Sequence, residues 1–127
     1  MPNQAPITDN INPRIYNLEE RTAVFGENII KFARKIPKDV VTLPLINQLV
    51  KSGTSVGANY CEADDAESKK DFKHKIGICK KEARETKHWL RMIVIAVIES
   101  KQEAQNLWQE AKELNLIFNS IVKKLVK

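Results

Sequence analysis

Apolar positions recur along the chain with steps of three and four, a period that predicts amphipathic helices. Four segments carry this period, at about residues 18–36, 43–63, 69–99 and 103–126. No stretch alternates apolar and polar residues over enough positions to predict a sheet. Four such stripes joined by short links predict an all-α fold: an up-and-down antiparallel four-helix bundle with left-handed packing, formed by residues 17–127.

Three of the predicted helices open with a side chain that can cap a helix. Asn17, Thr42 and Ser68 each precede or begin an apolar stripe, and Asn, Thr and Ser accept hydrogen bonds from the free N–H groups of a first turn. Pro44 fits the first turn of the second helix, where a missing N–H is harmless. These residues set the predicted helix starts.

Residues 1–16 contain three prolines and no helical period, and we interpret them as a polar N-terminal arm. The arm lacks the basic and apolar regions of a signal or transit peptide. The longest apolar run, residues 92–98, is far shorter than the ~20 residues that span a bilayer. We therefore expect a cytoplasmic protein without membrane contact, with free thiols at Cys61 and Cys79.

The segment KSGTSVGANYCEADDAESKKDF, residues 51–72, is rich in glycine, hydroxyl and acidic side chains. It lacks the GxxxxGK[ST] pattern of a phosphate loop and the ligand spacing of a calcium loop. Within a helix, Gly53 and Gly57 share one face and allow another helix backbone to approach closely. Each glycine costs about 1 kcal/mol relative to alanine in a helix, which close packing has to offset.

Four polar residues follow the edge of the same helix's core face with steps of three and four: Ser52, Ser55, Asn59 and Glu62. We call them the polar seam. Hydrogen bonding across helices or to the backbone is the simpler interpretation, and a ligand site is the alternative. Glu62 is a candidate buried carboxylate, but no ExxH spacing accompanies it, which argues against a di-iron site.

The sequence offers few groups for catalysis. His74 and His88 point away from the core stripe and are expected at the surface. Trp89 and Trp108 are interpreted as packing or interface anchors. We therefore expect no enzyme activity, no cofactor and no bound metal.

Positive charge is concentrated in the second half of the chain. Residues 1–66 carry seven basic and eight acidic side chains, whereas residues 67–127 carry fourteen and eight. At about 100° per residue, six cations of the third helix fall on one stripe, and its acids collect on the opposite flank. We call these six the basic stripe: Lys69, Lys73, Lys80, Arg84, Lys87 and Arg91.

A basic stripe without acids suits a phosphate backbone. No aromatic residue is interleaved with it and no base-reading motif is present, so the expected partner is RNA or DNA bound without sequence specificity. The alternatives are an ordinary solvated helix face and a scaffold that binds only other proteins.

The third helix is apolar all round over residues 92–98, whereas a bundle helix normally buries one face. A neighbouring copy of the chain is the simplest cover, with Trp89, Met92, Ile95 and Ile98 as the predicted oligomer interface. Head-to-tail contacts between the acidic and basic flanks could close a ring. Such pairing would use part of the basic stripe.

Three motifs carry a family resemblance: SVGANYCEA at residues 55–63, SKKDF at residues 68–72 and KEARETKHWL at residues 81–90. With them, the chain from about Leu18 onward resembles the bacterial 23S ribosomal RNA intervening-sequence proteins. The resemblance implies a four-helix bundle in a ring-shaped homo-oligomer, typically a pentamer, without enzyme activity. By analogy with the similar accessory variability protein of diversity-generating retroelements, it suggests an accessory factor that works with nucleic acid and a protein partner.

Overall fold

The structure is a computed structural model that describes residues 17–126. It contains four α-helices and, between the last two, one turn of 3₁₀ helix at Ile98–Ser100; no strand occurs in these residues. The predicted N-terminal arm lies outside the described residues. The all-α, four-helix prediction is confirmed. The helices are α1 (Leu18–Lys35), α2 (Thr42–Asp64), α3 (Lys69–Ala96) and α4 (Lys101–Val126).

Each helix packs beside the next one in the chain, and α4 returns to α1. The contacts between α1 and α4 show that neighbouring helices are antiparallel: Lys35, at the end of α1, bonds Glu103, at the start of α4, while Arg21 bonds Glu110 further along. The α1–α2 and α3–α4 connections therefore lie at the same end of the bundle.

The four apolar stripes meet along the bundle axis and form one core. Its largest fully buried side chains come from every helix: Phe25, Ile29, Phe32, Leu49, Ile76, Leu90, Ile93, Leu114 and Phe118. Burying each of them contributes about 1.5–3 kcal/mol relative to leaving it in water. The core therefore holds the helix faces in fixed directions, which determines where the polar faces point.

Two of the three predicted helix caps are confirmed. Asn17 lies in the left-handed region with φ 55°, which asparagine tolerates, and its side chain accepts a hydrogen bond from the Glu20 N–H. The Ser68 side chain accepts from the Asp71 N–H at 3.0 Å. The prediction for Thr42 is wrong. Its hydroxyl donates backwards to the Pro37 carbonyl oxygen at 2.6 Å.

Asp39 performs the capping that the sequence assigned to Thr42. One carboxylate oxygen of Asp39 accepts hydrogen bonds from the Val41 and Thr42 N–H groups, each at 2.8 Å. These bonds, chiefly the one from Thr42, lower the pKa of Asp39. The buried hydroxyl of Thr42 also accepts from the Asp39 N–H at 2.9 Å, so the two residues lock the turn together.

Helix α3 ends at Ala96, three residues before the predicted position, and α4 begins at Lys101, two residues earlier than predicted. Val97 leaves the helical region with φ −138° and ψ 85°. The Ser100 hydroxyl donates to the Val97 carbonyl oxygen at 2.7 Å and fixes the turn. Because β-branched residues crowd the end of α3, leaving the helix costs little there.

Glycines bring α1 and α2 close together. A Cβ atom on Gly53 would lie 2.9 Å from both Cγ atoms of Ile29, and one on Gly57 would lie 3.2 Å from the Thr22 carbonyl oxygen. The predicted close approach is therefore confirmed, with α1 as the neighbour. Gly77 on α3 differs, because a Cβ atom there would meet no atom within 4 Å.

Alanine at these two kinds of glycine has opposite expected effects. Gly53→Ala should lower the free energy of unfolding by about 1–3 kcal/mol, because the buried, β-branched Ile29 has little room to move. Gly77→Ala should raise it by about 0.5–1 kcal/mol through helix propensity. Urea denaturation of both variants checks this. A stabilised Gly53→Ala would show that the α1–α2 packing is looser than described.

Candidate nucleic-acid interface

The six cations of the basic stripe lie on one side of α3. Lys80 and Lys87 are half-buried and the other four are exposed. Within residues 17–126, none of the six forms an ion pair, whereas four other cation–carboxylate contacts do form. The charge of the basic stripe is therefore not neutralised inside the molecule.

The basic stripe borders the groove between α3 and α4. The Asn115 side chain of α4 donates to the Lys80 carbonyl oxygen at 2.7 Å. Farther along, the Lys87 ammonium lies 5.2 Å from the ring centre of Trp108. These contacts fix the side of α3 that carries the stripe, and they bring α4 residues next to it.

Helix α4 adds its own cations to this face. Lys101, Lys112 and Lys123 follow one another at eleven-residue intervals, close to three helical turns, so they share one side of α4. The Lys112 ammonium lies 5.7 Å from the Trp108 ring centre, on the side that faces Lys87. The basic face thus consists of the basic stripe and these three lysines. Sequence reasoning confined to α3 missed them, although the eleven-residue spacing was a visible signal.

The carboxylates of α4 lie on its other side, against α1. Arg21 bonds both oxygens of Glu110, through Nε at 2.7 Å and Nη2 at 2.8 Å, and reaches Glu113 at 3.0 Å. The hydrogen bond to Glu110 is the main reason that the pKa of Arg21 is raised. Lys35 holds Glu103 at 3.0 Å. These acids are drawn away from the basic face.

The acids of α3 lie on its other flank, next to α2. Burial first, and then the neighbouring Glu85 charge, raise the pKa of Glu82. Lys75 at this flank reaches back to Glu62 of α2 at 2.6 Å. The segregation that the sequence predicts on α3 thus extends to α4: acids face α1 and α2, and cations flank the α3–α4 groove.

The sequence analysis found no aromatic residue among the cations, and for the folded protein this is wrong. Trp108 is contributed by α4 and stands between Lys87 and Lys112, with 37 % of its surface exposed. A search along α3 alone could not find it, because the two residues meet only when the helices pack. The basic face therefore contains one accessible aromatic ring.

The polar seam makes hydrogen bonds between helices and to the backbone. The buried Thr86 hydroxyl lies 3.0 Å from the Ser52 oxygen, and Ser52 in turn donates to the Leu49 carbonyl at 3.2 Å. Ser55 and Asn59 bond carbonyl oxygens one turn earlier in α2.

The last member of the polar seam differs from expectation. Glu62 is exposed, so its interpretation as a buried carboxylate is wrong: the seam leaves the core before it reaches the end of α2.

The four predicted interface residues do not share one surface. Trp89 and Met92 are half-buried, and Trp89 packs against the core. Its indole nitrogen is buried and finds no acceptor among the described residues. Ile95 and Ile98, at the corner before α4, keep 80 % and 61 % of their surface exposed. Only this second pair is fully open to a partner.

Neither histidine is buried, and the two thiols differ in environment. His74 and His88 are exposed, as predicted, and Cys61 is exposed. Cys79 is buried against the Val56 carbonyl oxygen at 3.5 Å, and burial raises the pKa of its thiol to about 12. Over residues 17–126, no group of three histidine, cysteine or acidic residues could hold a metal ion, and no helix has the length and apolarity to cross a membrane.

The two thiols should react at different rates. At neutral pH a disulfide reagent should modify Cys61 rapidly and Cys79 only after unfolding, because Cys79 is buried and protonated. The unfolded thiol ionises near its ordinary pKa of 9.0, well below the folded value. Raising the pH from about 9 to 12 should therefore lower the free energy of unfolding, and Cys79→Ala should reduce that slope. Rapid modification of two thiols in the native protein would contradict the buried position.

An all-α bundle with a continuous basic face and no assembled catalytic group belongs to the class of small helical binding proteins. Residues 16–120 match the sequence profile described as 23S rRNA-intervening sequence protein, and the chain belongs to this family. It is similar to a crystal structure from Bacteroides thetaiotaomicron VPI-5482, a protein with unknown function from the S23 ribosomal protein family. The identity is 28 %, the match covers 84 % of this chain and 98 % of that one, and the TM-score is 0.74. No curated protein matches the chain.

Proposed function

We propose that the protein is a non-enzymatic homo-oligomer that binds RNA or DNA through the basic face, as an accessory factor to another protein. The observation that carries the proposal is the row of unpaired cations along the α3–α4 groove. The basic stripe runs over 22 residue steps of α3, from Lys69 to Arg91, or about 33 Å at 1.5 Å per residue. A phosphate backbone matches a row of that length.

An ordinary solvated helix face explains this charge less well. Solvated faces usually mix both signs, so that cations find carboxylates three or four residues away. Here the carboxylates of α4 are engaged by α1, and those of α3 face α2. Like charges on two adjacent helices repel each other, and a polyanionic ligand would relieve that repulsion.

Self-association is supported by exposed apolar side chains at one end of the bundle. Ile95 and Ile98 lie there, at the α3–α4 corner. The α1–α2 connection at the same end exposes Val40 by 88 %, Val41 by 57 % and Leu43 by 48 %. Large apolar side chains grouped in this way are typical of a protein contact. A closed ring of identical subunits is the proposed assembly, and the number five rests on the family resemblance.

Binding should depend on the position of the charges and not only on their number. The triple variant Lys73→Glu, Lys80→Glu, Arg84→Glu should bind labelled structured RNA and duplex DNA at least about tenfold more weakly at low salt. Its salt dependence should also fall by about one per lost phosphate contact. Fluorescence anisotropy across a salt series checks this.

The matched control reverses three exposed cations elsewhere: Lys31, Arg34 and Lys51. It changes the net charge equally and should retain most of the affinity. Equal losses in both variants would indicate attraction by net charge alone. Absence of binding by the wild type at low salt would refute the nucleic-acid role and leave a scaffold for other proteins.

The oligomer should depend on the exposed isoleucines. Ile95→Asp with Ile98→Asp should convert the assembly to monomers at micromolar concentration without loss of helix content, because the two side chains support no core packing. The control is Val24→Asp with Ile30→Asp, which places the same charges on exposed apolar positions of α1. Light scattering after size exclusion gives the mass. A monomeric wild type would refute the ring.

A further inference from the structure

Beside Trp108, the α3–α4 groove widens into an open cavity of about 370 Å³. Its floor is apolar and includes Leu90, Val94 and Ala104, while Arg91 and Lys101 stand at its rim. The cavity therefore combines an apolar floor, an aromatic wall and cations at the edge. Small-molecule sites with a few well-placed polar groups have volumes in this range.

Trp108 contributes little to the fold. Its indole is 37 % exposed, and it is neither a core residue nor one of the partly buried residues packed on the core. Two ammonium groups, of Lys87 and Lys112, lie near its ring. Both belong to long flexible side chains, which can leave the ring without disturbing the helices.

We propose that this cavity binds an unpaired nucleotide, with the base stacked on Trp108 and the flanking phosphates held by Lys87, Arg91, Lys101 and Lys112. The inference rests on the proposed nucleic-acid role and deepens it by naming single-stranded segments as the preferred ligand. Stacking on an aromatic ring inside a basic groove is the usual way in which proteins bind single strands without reading their sequence.

Charge complementarity selects this occupant over a protein segment. Three of the four cations lie on the same side of the two helices, and none of the four is paired with a carboxylate in the part of the chain that the structure describes. A purely apolar segment would leave these charges desolvated at the rim. A nucleotide supplies both the flat apolar surface and the anion.

An unpaired base also fits better than a duplex. Bases inside a duplex are stacked on one another and expose only their edges in the grooves, so they cannot lie flat on an indole. Trp108 sits within a groove between two helices, beside the half-buried Lys87. A duplex can reach the exposed cations, but it cannot reach the ring face without releasing a base.

The test compares Trp108→Ala and Trp108→Phe with the wild-type chain. The probes are a fluorescein-labelled oligoadenylate and an RNA duplex of equal length, measured by anisotropy. Trp108→Ala should weaken binding of the single strand about tenfold and change duplex binding less than about twofold. Trp108→Phe should stay within about threefold of the wild type, since phenylalanine retains a stacking face.

A second readout follows the indole directly. In a Trp89→Phe background, Trp108 is the remaining tryptophan, and unlabelled oligoadenylate should quench its fluorescence while the duplex should not. Trp89→Phe removes an indole N–H that has no acceptor among residues 17–126, so the background variant should fold. Circular dichroism and light scattering on each variant establish its helix content and mass.

The outcomes separate the two proposals. Binding of both probes that is unchanged in Trp108→Ala overturns the unpaired-nucleotide site and leaves the basic face intact. An equal loss for single strand and duplex also overturns it, and so does dissociation of the oligomer in Trp108→Ala, which would place a second copy of the chain in the cavity. If the wild type binds neither probe at low salt, both proposals fail.

Discussion

The placement of carboxylates on α4 against α1 is the constraint on which the rest of the surface depends. Arg21 grips two glutamates and Lys35 holds a third, so the acidic side of α4 is committed to the α1 contact. A helix has only one opposite side, and on α4 that side carries lysines next to α3. Ion pairs of this exposure add little to stability, often less than about 1 kcal/mol. Their larger effect is to set the orientation of the charge.

The interior and the surface of the bundle follow different rules. Inside, packing leaves no freedom: Gly53 is in contact with Ile29, and the hydroxyls of Thr86 and Ser52 satisfy each other. On the basic face, side chains remain long, charged and unpaired. A stable interior with an unneutralised face is expected of a protein whose partner supplies the missing charges.

The fold followed from the sequence because a helical period needs only local information. The four stripes predicted four helices, and the caps at Asn17 and Ser68 fixed two starts. The errors arose where local signals compete. Thr42 has the chemistry of a cap, but Asp39 lies closer to the free N–H groups. The end of α3 depends on Val97 and Ser100, which no capping signal marks.

The candidate site was only half predictable. The basic stripe lies on one helix and could be found from spacing, whereas Trp108 meets Lys87 only after α4 packs on α3. Glu62 was misjudged because the edge of a helix face turns from buried to exposed within one turn. Pairings between helices require the directions of both faces, and a single sequence gives each face without its neighbour.

The eleven-residue interval of Lys101, Lys112 and Lys123 recurs on α3 in Lys69, Lys80 and Arg91. Both rows therefore run nearly parallel to the helix axes, with rungs about 16 Å apart. A polyanion placed along equal rungs has several positions of similar energy, and a shift by one rung replaces each contact with an equivalent one. Such a surface favours sliding over a single fixed register, so any preference for position has to come from features that occur once.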